Sequence, residues 1–465
     1  MSIREQLAEF CFSLKYEDLP RAVVDFTRLL ITDQIGLTIA GGRRHVKAQD
    51  VDIAGFFKQQ GGKEESSLVA EGCKIPCINA AFANTTVSFG GFDGLHRSAV
   101  HLPCCLIPAT IAVGERQKAS GNDLILATVT GAEIITRVAW ALGSDNAYNR
   151  GFHPTALSSP FGCAMATGKL IGLGRETLAD ALSIAATQAA GSSLWPQAAR
   201  PTRHVRIQVG RAAQVGVTAA LLAERGVVGA DKIFEDPRGF LAGHSAQPNP
   251  ARLTDGLGSL WEIKNTTLKQ FGVGIYIIPG MEALLEMLGK NNVKAADIAH
   301  LTLRLPNAVI PLVGSPIYPK GASSSVSGRY VLAVTAYKGE KGMLFSREYQ
   351  NEDQVNDPRY QELFKRIDVV GDSELDKSFP GKWPCTLTLK TKDGREWTEY
   401  HDRPVKGEPG NPLTAEDIET RFMKVVEPVL PRQKCDRMLE LLRSLEKVTD
   451  ISELASLMAT KSQGN

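Results

Sequence analysis

A chain of 465 residues with 53 Lys and Arg against 51 Asp and Glu carries a formal net charge of +2, so no global field draws it to nucleic acid or to an anionic membrane surface. Its 43% hydrophobic and 22% charged content excludes a disordered or fibrous class. At this length one core usually stops growing, and two domains of unequal size are expected.

The opening Met1-Ser-Ile-Arg-Glu-Gln places charge where a secretory signal would carry an apolar run. No stretch reaches the ~20 apolar residues of a membrane span, so a cytoplasmic protein without membrane contact is expected. A helix is predicted from Arg21 to about Ala40, ended by Gly41-Gly42 and followed by a solvated segment to about Gln60. The eight cysteines are scattered; Cys73 and Cys77 have no second pair or histidines nearby to complete a zinc site, and the set reads as buried thiols.

Helical patterns also cover Leu124 to Leu142 and Ser159 to Leu170. A further helix is placed near Thr177, where Thr177 and Asp180 have capping-box spacing. Another follows Gly210, with alanine and glycine on one face and Gly226 as its C-terminal cap. Small residues on facing positions permit close helix approach, so about 260 residues read as an all-helical domain. After Leu260 the pattern changes. Leu301-Thr-Leu-Arg-Leu alternates at period two, and Cys385 to Thr391 does so again before a Lys392-Asp393-Gly394 turn into a second strand. With helices at Gly280 to Gly289 and Arg329 to Ala336, residues 265–403 read as a smaller α+β lid. Helical periodicity returns from Thr414 to Met458, so residues 1–264 are expected to be completed by 404–465. The fold class is mainly α.

Residues 92–103 bring Asp93, His96, Arg97 and His101 within nine positions, beside Gly90, Gly91 and Gly94. Imidazoles exchange protons near neutral pH and a guanidinium can hold a carboxylate bidentately, so the cluster suits acid/base work on an anion. Two other readings stand beside it. His101 can simply cap the helix entering at Pro103 with His96 exposed, or Asp93, His96 and His101 can hold a metal, although their spacing matches no defined motif. Cys104 and Cys105 read as packed core rather than nucleophile.

Gly151-Phe152-His153-Pro154-Thr155 sets a histidine at a constrained turn before a helix, and the run from Arg200 through Arg203 and His204 to Arg206 precedes the small-residue helix. A structural histidine and an exposed basic loop are the plainer readings of each. Lys269 falls at the domain junction and Tyr330 at the start of a helix; singly, each reads as a solvated charge and a core phenol.

In order, these segments resemble the MmgE/PrpD family over nearly the whole chain. The likeness runs through Leu30-Ile-Thr-Asp-Gln-Ile-Gly, the Asp93 to His101 loop, Gly131-Ala-Glu133 and Asn149-Arg-Gly-Phe-His-Pro. It continues through Gly168-Lys-Leu-Ile-Gly-Leu, Val209-Gly-Arg-Ala-Ala-Gln-Val-Gly, Glu235-Asp-Pro-Arg-Gly-Phe, Lys269 and Tyr330. The resemblance implies a large helical domain, a smaller α+β lid, a homodimer, an active site between the domains and no cofactor. It further implies proton transfer beside a carboxylate of a small di- or tricarboxylic acid. By position, His101 and His153 match the family's active-site histidines, Lys269 its lid lysine and Tyr330 its lid tyrosine, while Asp93 falls in its acidic loop. Three departures bear on substrate. The acidic loop has Gly91, Asp93 and Gly94 where relatives often carry consecutive aspartates. Val205 stands where a lysine is common, with Arg203 or Arg206 as its replacement. Gly272 to Tyr276 lines the pocket differently.

The expected roles are therefore His101 and His153 as base and acid, Tyr330 as a hydrogen-bond donor to a developing anion, and Asp93 as orienting group. Lys269, Arg203, Arg206 and His96 are the substrate-binding candidates, with no metal ligand among them. A lyase is expected, by 2-methylcitrate-like dehydration or cis-aconitate-like decarboxylation. The alternatives are an epimerase of an amino- or imino-dicarboxylate and a ligand-binding relative without chemistry.

Overall fold

A computed structural model describes residues 1–47, 52–88, 94–193, 204–319, 321–339, 355–379 and 381–460. The larger domain is built from helices α1 (Ile3–Ser13), α2 (Arg21–Lys47), α3 (Ile53–Gln60), α4 (Cys77–Ser88), α5 (Leu102–Gln117), α6 (Gly121–Leu142), α7 (Ser144–Asn149), α8 (Pro154–Leu170), α9 (Arg175–Ala186) and α10 (His204–Glu224). Two short antiparallel pairs interrupt the helices. They are β1 (Ser66–Leu68) with β2 (Cys73–Ile75), and β3 (Leu95–His96) with β4 (Thr266–Thr267).

Where the sequence expectations fail, packing has overridden local signals. Helix α2 runs through Gly41-Gly42 instead of ending there. A Cβ at Gly41 would overlap the Val87 carbonyl of α4, so this glycine serves close helix approach rather than termination. The segment read as solvated contains α3, which buries Ala54, Gly55 and Phe57. Helix α9 starts at Arg175, and Asp180 makes no capping box; its carboxylate accepts the Gly229 N–H at 3.0 Å and pairs with Arg4. Small-residue packing holds: Gly162 of α8 sits so close to α6 that a Cβ would overlap the Gly131 carbonyl. Among the described helices, α6 is long and apolar enough to cross a membrane, but 89% of that stretch is buried between α5, α8 and their neighbours.

The smaller domain carries a four-stranded sheet in the order β6 (Ile367–Gly371), β5 (Ile298–Leu305), β7 (Cys385–Thr391), β8 (Glu396–His401). The β7–β8 hairpin turns at Gly394, whose φ of 91° demands glycine. The pair β5–β6 is parallel and was not anticipated; its crossover contains the helices Gly328–Lys338 and Pro358–Phe364. Helix Ile278–Lys290 packs on β7 and β8.

Leu268 belongs to the larger core and Phe271 to the smaller, while Val405 lies in the smaller and Leu413 back in the larger. The chain thus crosses between domains at these two places. The terminal helices Ala415–Val426, Arg432–Arg443 and Ser452–Met458 pack against α2 and α5. All eight cysteines are free thiols, and Cys104 and Cys105 are fully buried.

Candidate active site

Two neighbouring helices begin at histidines. His101 is the N-cap of α5 and His153 the N-cap of α8, each followed by proline within the first helical turn, where a missing N–H costs nothing. The His101 N–H donates to Thr155 Oγ1 at 3.0 Å, so the two helix starts touch. The His153 N–H donates to the Gly191 carbonyl at 3.1 Å, and Gln208 of α10 donates to the next carbonyl, Ser192, at 3.0 Å. Both histidines are anchored through their backbone N–H groups at a point where two helix N-termini, each with partial positive charge and unsatisfied N–H groups, converge. Such a point favours an anionic ligand.

The strand before His101 is tied to both domains. Leu95 packs in the smaller core, yet β3 pairs with β4 at the junction, and Gly94 lies against Pro103 of α5. His96 is neither the exposed residue nor the substrate ligand that its place in the loop suggests. It is fully buried, with Nδ1 bonded to Ser98 Oγ at 2.8 Å and Nε2 to the Glu262 carbonyl at 3.0 Å. Both ring nitrogens are occupied by protein, so His96 positions the loop and is not open to a carboxylate or metal. Arg97 is likewise committed. It bonds Glu408 Oε1 at 2.7 Å and the Gly381 carbonyl, and lies 5.4 Å from the Trp383 ring centre. The carboxylate it holds is the protein's own. Between these residues and His101, Ala99 has a φ of 59°, a strained conformation for a residue with a Cβ.

Glu262 had no signal in the sequence, yet it holds this region together. Its carboxylate accepts from Asn265 at 3.1 Å and Trp140 at 3.3 Å and lies 3.3 Å from His96 Nε2. The His96 bond does most to hold its pKa down at about 2. This contribution to stability is present above the ordinary 4.5 and lost as pH falls toward 2. Glu133 of α6 behaves oppositely. Burial pushes it from 4.5 up to about 7, against the pull of the Ile263 N–H and Arg137. A raised carboxyl favours the folded state below 4.5, and that advantage is lost as pH rises through 7. Glu133→Gln is therefore expected to remove a decline in stability between pH 4.5 and 7, read from urea midpoints across that range. Parallel curves for parent and variant would assign the decline elsewhere.

Lys269 is buried, two residues beyond β4, and its carbonyl accepts from Arg421, which also pairs with Asp33 of α2. Arg206 is half-buried in the first turn of α10, two residues before Gln208. Tyr330 is fully buried in the smaller core, its ring set edge-on to Tyr318 at 5.8 Å and Tyr360 at 6.3 Å. Its hydroxyl has no hydrogen-bond partner among the described residues, and burial pushes the phenol pKa up, so it stays a donor. Asp93 and Arg203 lie outside the described residues. A cleft of about 170 Å³ opens between the domains along the 95–99 loop, with Trp140 and Tyr148 on one wall and Tyr276, Phe379 and Trp383 on the other. The Tyr148 ring lies 6.5 Å from that of His153. Thr155, Glu262 and Tyr148 were all missed from sequence, since nothing local distinguishes a site threonine, glutamate or tyrosine from any other.

Fold and site define a two-domain, mainly α protein whose paired histidines stand at touching helix starts beside an interdomain cleft. The chain belongs to the MmgE/PrpD family: residues 5–253 match its N-terminal domain and residues 271–447 its C-terminal domain. It is 25% identical over 481 residues to cis-aconitate decarboxylase of Aspergillus terreus, covering 98% of this chain and 96% of the relative. The human cis-aconitate decarboxylase is 25% identical over 471 residues, covering 98% and 94%. The cis-aconitate decarboxylase-like protein oryM of Aspergillus oryzae is 26% identical over 496 residues, covering 98% and 97%.

Proposed function

We propose that the protein is a cofactor-independent lyase acting by proton transfer on a small di- or tricarboxylic acid, with cis-aconitate-like decarboxylation preferred to 2-methylcitrate-like dehydration. The observation that carries this reading is the meeting of His101 and His153 at two helix N-termini linked through Thr155. In decarboxylation the electron pair of the breaking C–C bond passes into the conjugated acid, CO₂ leaves, and one imidazolium delivers a proton to carbon. In dehydration one imidazole takes a proton beside a carboxylate while the other protonates the departing hydroxyl. The converging N-termini, Lys269 and Arg206 hold carboxylates, and Tyr330, enclosed in the smaller core, enters on the family likeness alone as a phenol donor to the developing anion. Asp93 and Arg203 join as orienting and binding groups on the family likeness alone, as do a homodimeric assembly and a cytoplasmic location. The relatives' names favour decarboxylation.

Proton NMR in D₂O of the purified protein with cis-aconitate tests the reading. Loss of CO₂ with deuterium entering at carbon is expected. Exchange with inversion and no loss of a group would make the protein an epimerase, and binding without exchange would make it a relative without chemistry.

A further inference from the structure

We infer that the substrate carries a flat apolar substituent about the size of one aromatic ring, and that the interdomain cleft beside His153 seats it. The inference rests on the carboxylate reading above and narrows it to a substituted acid.

Size comes first. The cleft measures about 170 Å³. Apolar cavities on the order of 150 Å³ accommodate benzene, whereas a water cluster needs two to four polar partners per molecule. The walls are suited to a ring. Tyr276 meets Trp383 at 6.1 Å and Phe379 at 5.9 Å, both edge-on, and Trp140 and Tyr148 face them from the larger domain. Aromatic groups in such a setting favour a further ring in an edge-to-face or offset arrangement.

Charge argues the same way. Arg97 lines the cleft, but its guanidinium is paired with Glu408, bonded to the Gly381 carbonyl and laid over Trp383. His96, also at the wall, has both ring nitrogens occupied. Among the described lining residues neither charged group is available to a carboxylate, and the other non-aromatic polar side chains are the uncharged Ser98, Ser144 and Asn146. Position then links the cleft to chemistry. Its wall includes Ala99, two residues before His101, and Tyr148, whose ring is 6.5 Å from that of His153. A ring in the cleft would direct its carboxylated chain past Tyr148 toward His153.

The test is isothermal titration calorimetry of the full chain with benzylsuccinate and methylsuccinate, which share the dicarboxylate and differ in the ring. Benzylsuccinate is expected to bind about ten- to hundredfold more tightly, the gain of burying a phenylalanine-sized side chain. Ala308 is an exposed residue of the smaller domain on the cleft wall and is not among the groups assigned to the carboxylates or to proton transfer, and Ala308→Trp fills the cleft. It is expected to bring benzylsuccinate down to the affinity of methylsuccinate and leave methylsuccinate unchanged. In the parent, benzylsuccinate alone should shift the intrinsic tryptophan fluorescence, and Trp383→Phe should reduce that shift. Equal affinities in the parent, or an unchanged preference in Ala308→Trp with no fluorescence response, would overturn the inference while the carboxylate reading stands. Binding of neither acid would overturn both.

Discussion

Replacing His101 or His153 with alanine is expected to lower turnover by about 10²–10⁴-fold, the range that general acid/base catalysis typically supplies. The main chain is anchored at both positions, His101 through its N–H to Thr155 and His153 through its N–H to Gly191. Removing an imidazole therefore deletes a proton carrier and leaves both helix starts in place. The double variant should lose little more than the worse single one, because groups acting on one proton path are not additive. Thr155→Val provides the contrast. It removes the acceptor of the His101 N–H without touching either ring, so it should alter the pH profile and lower kcat by less than either histidine variant. Solvent deuterium exchange into substrate measures all four. A loss under tenfold at both histidines would remove them from the chemistry.

Arg421→Ala is expected to cost about 3–5 kcal/mol of stability, the usual result of removing one member of a buried ion pair. Arg421 lies in the helix Ala415–Val426 and Asp33 in α2, with side chains 8% and 3% exposed. The same guanidinium bonds the carbonyl of Lys269, so the C-terminal helix reaches across to the junction segment. Loss of Arg421 should thus raise KM as well as lower the melting temperature. Combining Asp33→Asn with Arg421→Met should cost less than Arg421→Ala, because both charges of the pair are then removed together. A cost below about 1 kcal/mol for Arg421→Ala would mean the pair behaves as an exposed one.

Several parts of this protein follow from its sequence alone. The mainly α class is legible because apolar residues recur at helical spacing through α6 and α10, and period-two alternation marks β5 and β7. His101 and His153 stand out for a local reason: each precedes a leucine-proline or proline step that starts a helix, and ordered motifs around them carry the family likeness. The failures are equally physical. Gly41-Gly42 looked like a terminator because glycine usually ends helices, whereas here the missing Cβ lets α4 approach. His96 and Arg97 looked like ligands because their chemistry suits an anion, but their partners, Glu262 and Glu408, lie more than a hundred positions away.

The amino-acid sequence by itself determined the longer helices and the strands β5, β7 and β8, because periodicity and turns act over a few residues. It also determined the family, because many short motifs keep their order along the chain. Only the tertiary structure decided which polar groups of the 92–103 loop are spent within the protein. A hydrogen bond such as His96 to Glu262 or an ion pair such as Arg421 to Asp33 joins residues whose separation along the chain carries no local signal. The aromatic cleft is likewise a product of docking, since Trp140 and Tyr148 meet Tyr276, Phe379 and Trp383 only when the two cores come together.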